Sequence, residues 1–340
     1  MLIELTVPAS LPLALVQLED ETGLKTGLLG FTVQHPPVHL SAQARPELVV
    51  SGPRADKGYE QAGRFLAYHG LKSGAEVEIE LAIPAFMGLG SEAMLGLAVG
   101  EALAWAHDLP LGADKAHQLA LALGFGPQHA LEIWGFDRGG LLLVEAQAGA
   151  ARKPELLRRQ EIAHPEKEAW ALVLVLPRPP QDAPEELETE QLTKLLQAAP
   201  RLNSESGRLV VEALWPAVAN DDIAAFGQTL MRLGQLNQEA LAGTGMLSTL
   251  SDDQQAILDL MRDQGACAWG QSATGLCLYA LVRGAKASIA LRQKLSQHLG
   301  IFGGRVMATI TNNTGARSVV KAKNLADDRP RPPGVNVKPG

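Results

Sequence analysis

At 340 residues the chain exceeds what one core comfortably fills, so two domains are expected. Hydrophobic residues at 46% and charged residues at 20% exclude a disordered chain, and with aromatics at only 4% the core must be built from Leu, Ala, Val and Ile. A net charge of −7 excludes a general attraction to nucleic acid or to an anionic membrane, while leaving room for a local basic pocket that holds phosphate.

Taken in chain order, residues 2–7 (LIELTV) and 77–83 (VEIELAI) alternate apolar and polar side chains, the pattern of strands with one buried face. Between them, GFTVQHPPVHLSAQ and PELVVSGP suggest further strands separated by proline turns, and Tyr59, Ala62, Phe65 and Leu66 place a helix over about 56–69. The strongest helix runs from Ser91 to His107, directly after a glycine turn, and a second lies near 113–123. Residues 139–147 return as a strand, and the charged stretch 148–168 reads as a connection. WALVLVLP at 170–177 is a continuous apolar run, which predicts a buried strand opening the second domain. Helices follow near 188–197, 204–219, 221–240 and 252–263, then a strand, glycine turn and strand over 266–282, a helix near 286–299 and a strand near 304–310. The proline-rich tail from Asp327 is expected to be disordered.

The two cysteines, Cys267 and Cys277, cannot form a four-ligand zinc site and read as packed thiols in a reducing cytoplasm. The N-terminal segment lacks a basic region and is broken by Pro8 and Pro12, so it does not read as a signal peptide. No apolar run reaches the roughly 18 residues of a membrane helix.

Chemistry concentrates in two glycine turns. The first, PAFMGLGS, ends a strand and opens a helix with Gly88, Leu89, Gly90 and Ser91. Such a turn offers unpaired N–H groups and the positive end of a helix dipole to an anion, without a Cβ in the way, and Ser91 is a suitable N-cap. The same pattern also describes an ordinary glycine turn with a serine cap, and no Gly-Lys-Ser/Thr follows to make a Walker loop. The second turn carries Gly270, Gln271, Ser272 and Gly275, whose amide and hydroxyl groups could hold a phosphate or carboxylate or simply close a hairpin.

Other polar residues read more plainly. His129 and Glu132, three apart, suit an acid/base pair or half a metal site, but no third ligand is evident and a surface or capping role is expected. His35 and His39 beside a double proline read as solvated. The run Glu185, Glu186, Glu188 and Glu190 reads as a solvated loop entering a helix. Trp134, Trp170 and Trp215 read as core or strand residues.

Pro84 with Gly88, Leu89, Gly90 and Ser91 after a strand is similar to the phosphate-binding motif of the GHMP kinase superfamily. Gly124 and, further along, FDRGGLLLV at 136–144, the segment NDDIAAFGQTLMRLGQ, the Gly270–Gly275 turn, and Asn312, Asn313, Gly315 and Ala316 narrow the resemblance to the β-ribofuranosylaminobenzene 5′-phosphate synthases. It covers about residues 1–320. It implies an α+β, two-domain fold: a ribosomal-protein-S5-like domain over 1–165 with a left-handed βαβ unit and the phosphate loop, then a ferredoxin-like domain over 166–322, with a tail at 323–340. It also implies that the Gly270–Gly275 turn faces the phosphate loop across the cleft.

The reaction implied condenses phosphoribosyl pyrophosphate with an aromatic carboxylate such as 4-hydroxy- or 4-aminobenzoate, releasing pyrophosphate and carbon dioxide in pterin C1-carrier synthesis. Magnesium is the metal such chemistry would use, and no organic cofactor is evident. The partner is then a small phosphorylated substrate, phosphoribosyl pyrophosphate or ATP, with neither nucleic acid nor membrane, and a homodimer is left open. Ser10 and Pro12 stand where the family pattern has Arg and His, Thr26 where it has Asp, and Phe125 to Glu132 (FGPQHALE) where it has Arg-Gly-Gly-Thr-Ser-Gly-Ile-Gly. Losing two bidentate anion clamps implies weakened or absent turnover. The alternatives are a GHMP-type ATP-dependent kinase, which lacks an obvious catalytic Asp here, and a ligand-binding paralogue without catalysis.

Overall fold

The computed structural model describes residues 2–20, 23–147, 153–163, 165, 168–179, 187–202, 204–242, 250–300 and 303–321. The tail at 323–340, Glu185 and Glu186 lie outside the described residues; Glu188 and Glu190 fall at the start of a helix. The elements follow as β1 (Leu2–Asp20), β2 (Gly23–Arg45), β3 (Val49–Ser51), α1 (Ala55–Tyr68), β4 (Gly74–Leu81), α2 (Ser91–Ala106), α3 (Lys115–Leu123), α4 (Ala130–Asp137), β5 (Leu141–Glu145), β6 (Leu156–Gln160) and β7 (Trp170–Pro177). Then come α5 (Leu187–Ala198), α6 (Ser204–Leu209), α7 (Trp215–Ala219), α8 (Ile223–Ala242), α9 (Asp252–Asp263), β8 (Ala268–Gln271), β9 (Leu278–Arg283), α10 (Ala285–Leu299), β10 (Gly304–Ile310) and β11 (Arg317–Lys321). A wide five-residue turn over 210–214 joins α6 to α7.

The arrangement is α+β. One sheet runs β11-β1-β2-β4-β3, with β5 on the first half of β2 and β6 beyond it; the other runs β10-β7-β9-β8 and is antiparallel throughout. β3 and β4 are parallel, joined through α1 as a βαβ unit. Their carboxyl ends therefore open on the same edge, the position where ligands enter open α/β sheets.

β1 and β2 are far longer than alternation alone predicts. The prolines do not end them, because the ladder slips beside them. Register shifts fall between Val7 and Ala9 and between Pro12 and Ala14. Opposite the first, the pairing jumps from Val38 to Val33, so that Pro36 and Pro37 sit in a bulge rather than in a turn between strands. The charged stretch read as a connection contains β6, because Arg158 and Arg159 use their side chains locally: Arg158 lies over the Trp215 ring, and Arg159 donates to the carbonyls of Gly139 and Asn313. β11 was not evident in the sequence. It carries the chain back from the second sheet to pair with β1.

β7 shows why WALVLVLP has no polar positions. Leu172, Leu174 and Leu176 join the large core shared with β1, α2 and α8, while Ala171, Val173 and Val175 pack on Ile257, Met261 and Leu295 of α9 and α10. A strand buried on both faces must be apolar at every step. Trp170 and Trp215 are core residues, whereas Trp134 is half-buried and donates its indole N–H to the Pro154 carbonyl. α2 is buried on all sides, and its one buried charge, Glu101, is held by Lys115 at 3.1 Å to both carboxylate oxygens.

Candidate functional site

The glycine loop between β4 and α2 is held by its carbonyls. Ser10 N–H donates to the Leu89 carbonyl (3.1 Å), the Ser272 hydroxyl to that of Gly88 (2.7 Å), Cys277 N–H to that of Met87 and Leu276 N–H to that of Phe86 (both 3.0 Å). With the carbonyls bonded to β1 and to the β8–β9 turn, the first turn of α2 is left facing a cleft. Gly88 and Gly90 have φ of +67° and +69°, a backbone region that glycine enters without strain. Gly90, rather than Ser91, is the cap residue of α2; Ser91 is the first helical residue, and no side chain caps the helix.

That cleft has a volume of about 220 Å³. Gly90 and Ser91 line it; Gly88 and Leu89 lie behind it, with Leu89 fully buried. The turn over 270–275 does meet the loop, but backbone to backbone. A Cβ on Gly275 would collide with the main chain of Met87 and Gly88, and only Thr274 of that turn reaches the cleft. Gly270, Gln271, Ser272 and Gly275 border a separate cavity of about 370 Å³ beside α8. The two glycine motifs thus brace one another instead of facing each other across open space.

The facing walls supply residues that the sequence reading assigned no chemistry. Arg54, just after β3 and at the cap of α1, lines the cleft together with Lys57. Arg54 holds φ +59° and its Nη1 is out of solvent with no hydrogen-bond partner among the described residues. A strained, buried and unpaired guanidinium nitrogen beside a helix N-terminus is suited to an anion. The signal available in the sequence was position alone: a basic residue following a Gly-Pro turn at the carboxyl end of a strand.

His129 and Glu132 also line the cleft, which corrects the surface or capping reading. His129 stands at the cap position of α4 but makes no cap bond. Its ring packs edge-on against Phe125, and burial lowers its pKa to about 4, so it is neutral above that pH. The Glu132 carboxyl accepts a hydrogen bond from the Ser10 hydroxyl at 2.8 Å; burial raises its pKa, and the Ser10 bond opposes that rise in part. The Glu132 side chain lies against Gly90: a Cβ there would sit 2.7 Å from its Cγ and 2.9 Å from its Oε1.

No group of three His, Cys, Asp or Glu side chains among the described residues is placed to hold a metal ion. His39 pairs with Thr6 and Glu80. Both cysteines are free thiols, and Cys277 is buried. No described helix is long and apolar enough to cross a membrane.

A glycine loop at the end of a parallel strand pair, opening a buried helix beside a four-stranded antiparallel sheet, defines a protein of the GHMP kinase fold. L. major mevalonate kinase, solved with R-mevalonate, superposes with a TM-score of 0.64 at 14% identity, over 91% of this chain and 96% of that one. Within that fold the chain resembles the β-ribofuranosylphenol 5′-phosphate synthases. It is 23% identical to that of Methanothermobacter thermautotrophicus over 344 residues, covering 93% of this chain and 99% of the relative. It is 26% identical to that of Archaeoglobus fulgidus over 295 residues, covering 82% and 88%. No family model matches the chain.

Proposed function

We propose that the chain binds a phosphorylated ribose donor of the phosphoribosyl pyrophosphate type at the start of α2, as a relative of the β-ribofuranosylaminobenzene phosphate synthases with weakened or absent turnover. The observation that carries the reading is Arg54: its Nη1 has no partner among the described residues, and it shares a cleft with Lys57 and the uncapped N-terminus of α2. The names of the similar synthases support a phosphoribosyl donor. In the full reaction the bond from ribose C1 to pyrophosphate breaks, C1 bonds to the ring carbon that carried the carboxylate, and carbon dioxide leaves.

The charge developing on pyrophosphate and ribose needs preorganised partners, and losing one such donor typically costs about 10²–10³ in rate. Ser10 here serves Glu132, and Phe125 packs on His129, so neither offers a cation to the cleft. Arg54 remains to hold the ligand, with Lys57, paired with Glu60 at 3.2 Å, on the same wall. The two free thiols suit a cytoplasmic setting.

A thermal-shift screen tests this with phosphoribosyl pyrophosphate, ATP and 4-aminobenzoate, each with and without magnesium, alongside an assay of pyrophosphate and carbon dioxide release. Binding at a hundred times Kd stabilises by about 2.7 kcal/mol, which is readily resolved as a raised midpoint. The expected result is a shift with phosphoribosyl pyrophosphate and product release near background. Robust release overturns the loss of turnover; a shift with ATP alone, with phosphate transfer, overturns the phosphoribosyl reading in favour of a kinase.

A further inference from the structure

Glu132 sets a carboxyl where an anion site would be expected to hold none. It reaches from the first turn of α4 to lie against Gly90, the cap residue of α2, and is fixed there by the Ser10 hydroxyl at 2.8 Å. Phe125 to Glu132 stand where the synthase pattern has Arg-Gly-Gly-Thr-Ser-Gly-Ile-Gly, so Glu132 replaces a glycine and Ser10 an arginine. Both departures therefore meet in one hydrogen bond at the mouth of the helix. An incoming anion and an ionised Glu132 would bring two negative charges to the same helix dipole.

We propose that Glu132 is the specificity-determining residue of this cleft: an anionic group docks at the start of α2 only together with a proton on the Glu132 carboxyl. The inference rests on the anion-binding reading above and adds its proton coupling. The desolvated position already favours the protonated acid, and an arriving anion favours it further. The other charged and titratable groups lining the cleft are Arg54, Asp56 and Lys57 from the start of α1, Glu92 from α2 and His129 beside α4. Burial lowers the His129 pKa to about 4, so in the free protein it is neutral over this pH range, and a flat profile in Glu132→Gln separates its contribution from that of Glu132. A protonated Glu132 has one O–H to donate, so a ligand oxygen that accepts it is preferred to one that presents its own hydroxyl.

Sulfate is the suitable probe, because its charge is constant between pH 5 and 8. Isothermal titration of the full chain with sodium sulfate is expected to show affinity falling with pH, approaching tenfold per unit once Glu132 is ionised in the free protein, with about one proton taken up in paired buffers of different ionisation enthalpy. Glu132→Gln keeps the size and the acceptor for Ser10. It is expected to bind sulfate at least tenfold more tightly at pH 8, with a flat pH profile. The proton-uptake measurement needs only the unmodified protein, so a poorly folding variant does not decide the matter. Sulfate binding to the unmodified chain that ignores pH overturns this inference alone. A slope that survives in Glu132→Gln and disappears in Glu92→Gln overturns it by moving the proton to the other carboxyl. No sulfate binding by either protein at any pH overturns the anion site together with its coupling.

Discussion

The two sides of the cleft are built by different means. The side formed by the loop over 84–91 and the turn over 270–275 is made of main chain, with glycines packed to backbone distance and carbonyls bonded across. The side formed by Arg54, Lys57, His129 and Glu132 is made of side chains, with Ser10 bonded behind Glu132. The backbone side matches the synthase pattern that the sequence resembles, whereas Ser10, His129 and Glu132 on the other side depart from it. A main-chain cradle tolerates almost no substitution without losing the fold, whereas the facing side chains can change and alter the chemistry while the fold persists.

The largest test of this contrast is on the backbone side. Gly275→Val places a Cβ inside the main chain of Met87 and Gly88, and neither segment can move without breaking the bonds that hold the loop. Denaturant unfolding should show a loss of about 3 kcal/mol or more. A loss below about 1 kcal/mol would mean that the two turns are not braced.

Arg54→Gly should act in the opposite direction. Glycine accepts φ +59° without strain, so stability should rise by up to about 1 kcal/mol while ligand binding is lost, the signature of strain kept for function. Destabilisation with binding intact would show that Arg54 serves the fold.

The smallest effect is expected from Glu132→Gln on stability. Because burial raises the folded-state pKa of Glu132, its contribution is fully present below the unfolded value of about 4.3 and is lost as pH rises through the folded one. Thermal unfolding across pH 4 to 8 should therefore show a stability decline in the unmodified chain that is reduced in the variant. Parallel profiles would remove the buried acid from the account.

The sequence made the backbone side legible because glycine positions and strand-to-helix order are local signals. β7, α9 and β10 appear where the periodicity predicts them, and α2 opens directly after the glycines. The side-chain side was hidden because it depends on contacts across long separations. Ser10 meets Glu132 over 122 residues, and β11 joins β1 from the far end of the chain. Nothing near Arg54 in sequence announces a guanidinium nitrogen left without a hydrogen bond among the described residues; the parallel pairing of β3 and β4 brings it to the start of α2. Prolines also misled, since Pro12, Pro36 and Pro37 break local alternation but are absorbed as bulges in a long hairpin.

The central claim is that Arg54 and the N-terminus of α2 together hold a phosphorylated ligand. Isothermal titration of phosphoribosyl pyrophosphate into the unmodified chain and Arg54→Ala, at the same salt and pH, tests it most directly. A charge-assisted hydrogen bond contributes about 1.5–3 kcal/mol, so one-to-one binding that weakens by roughly 10- to 100-fold in the variant is predicted. Equal affinity in the two proteins would contradict the claim and place the ligand elsewhere.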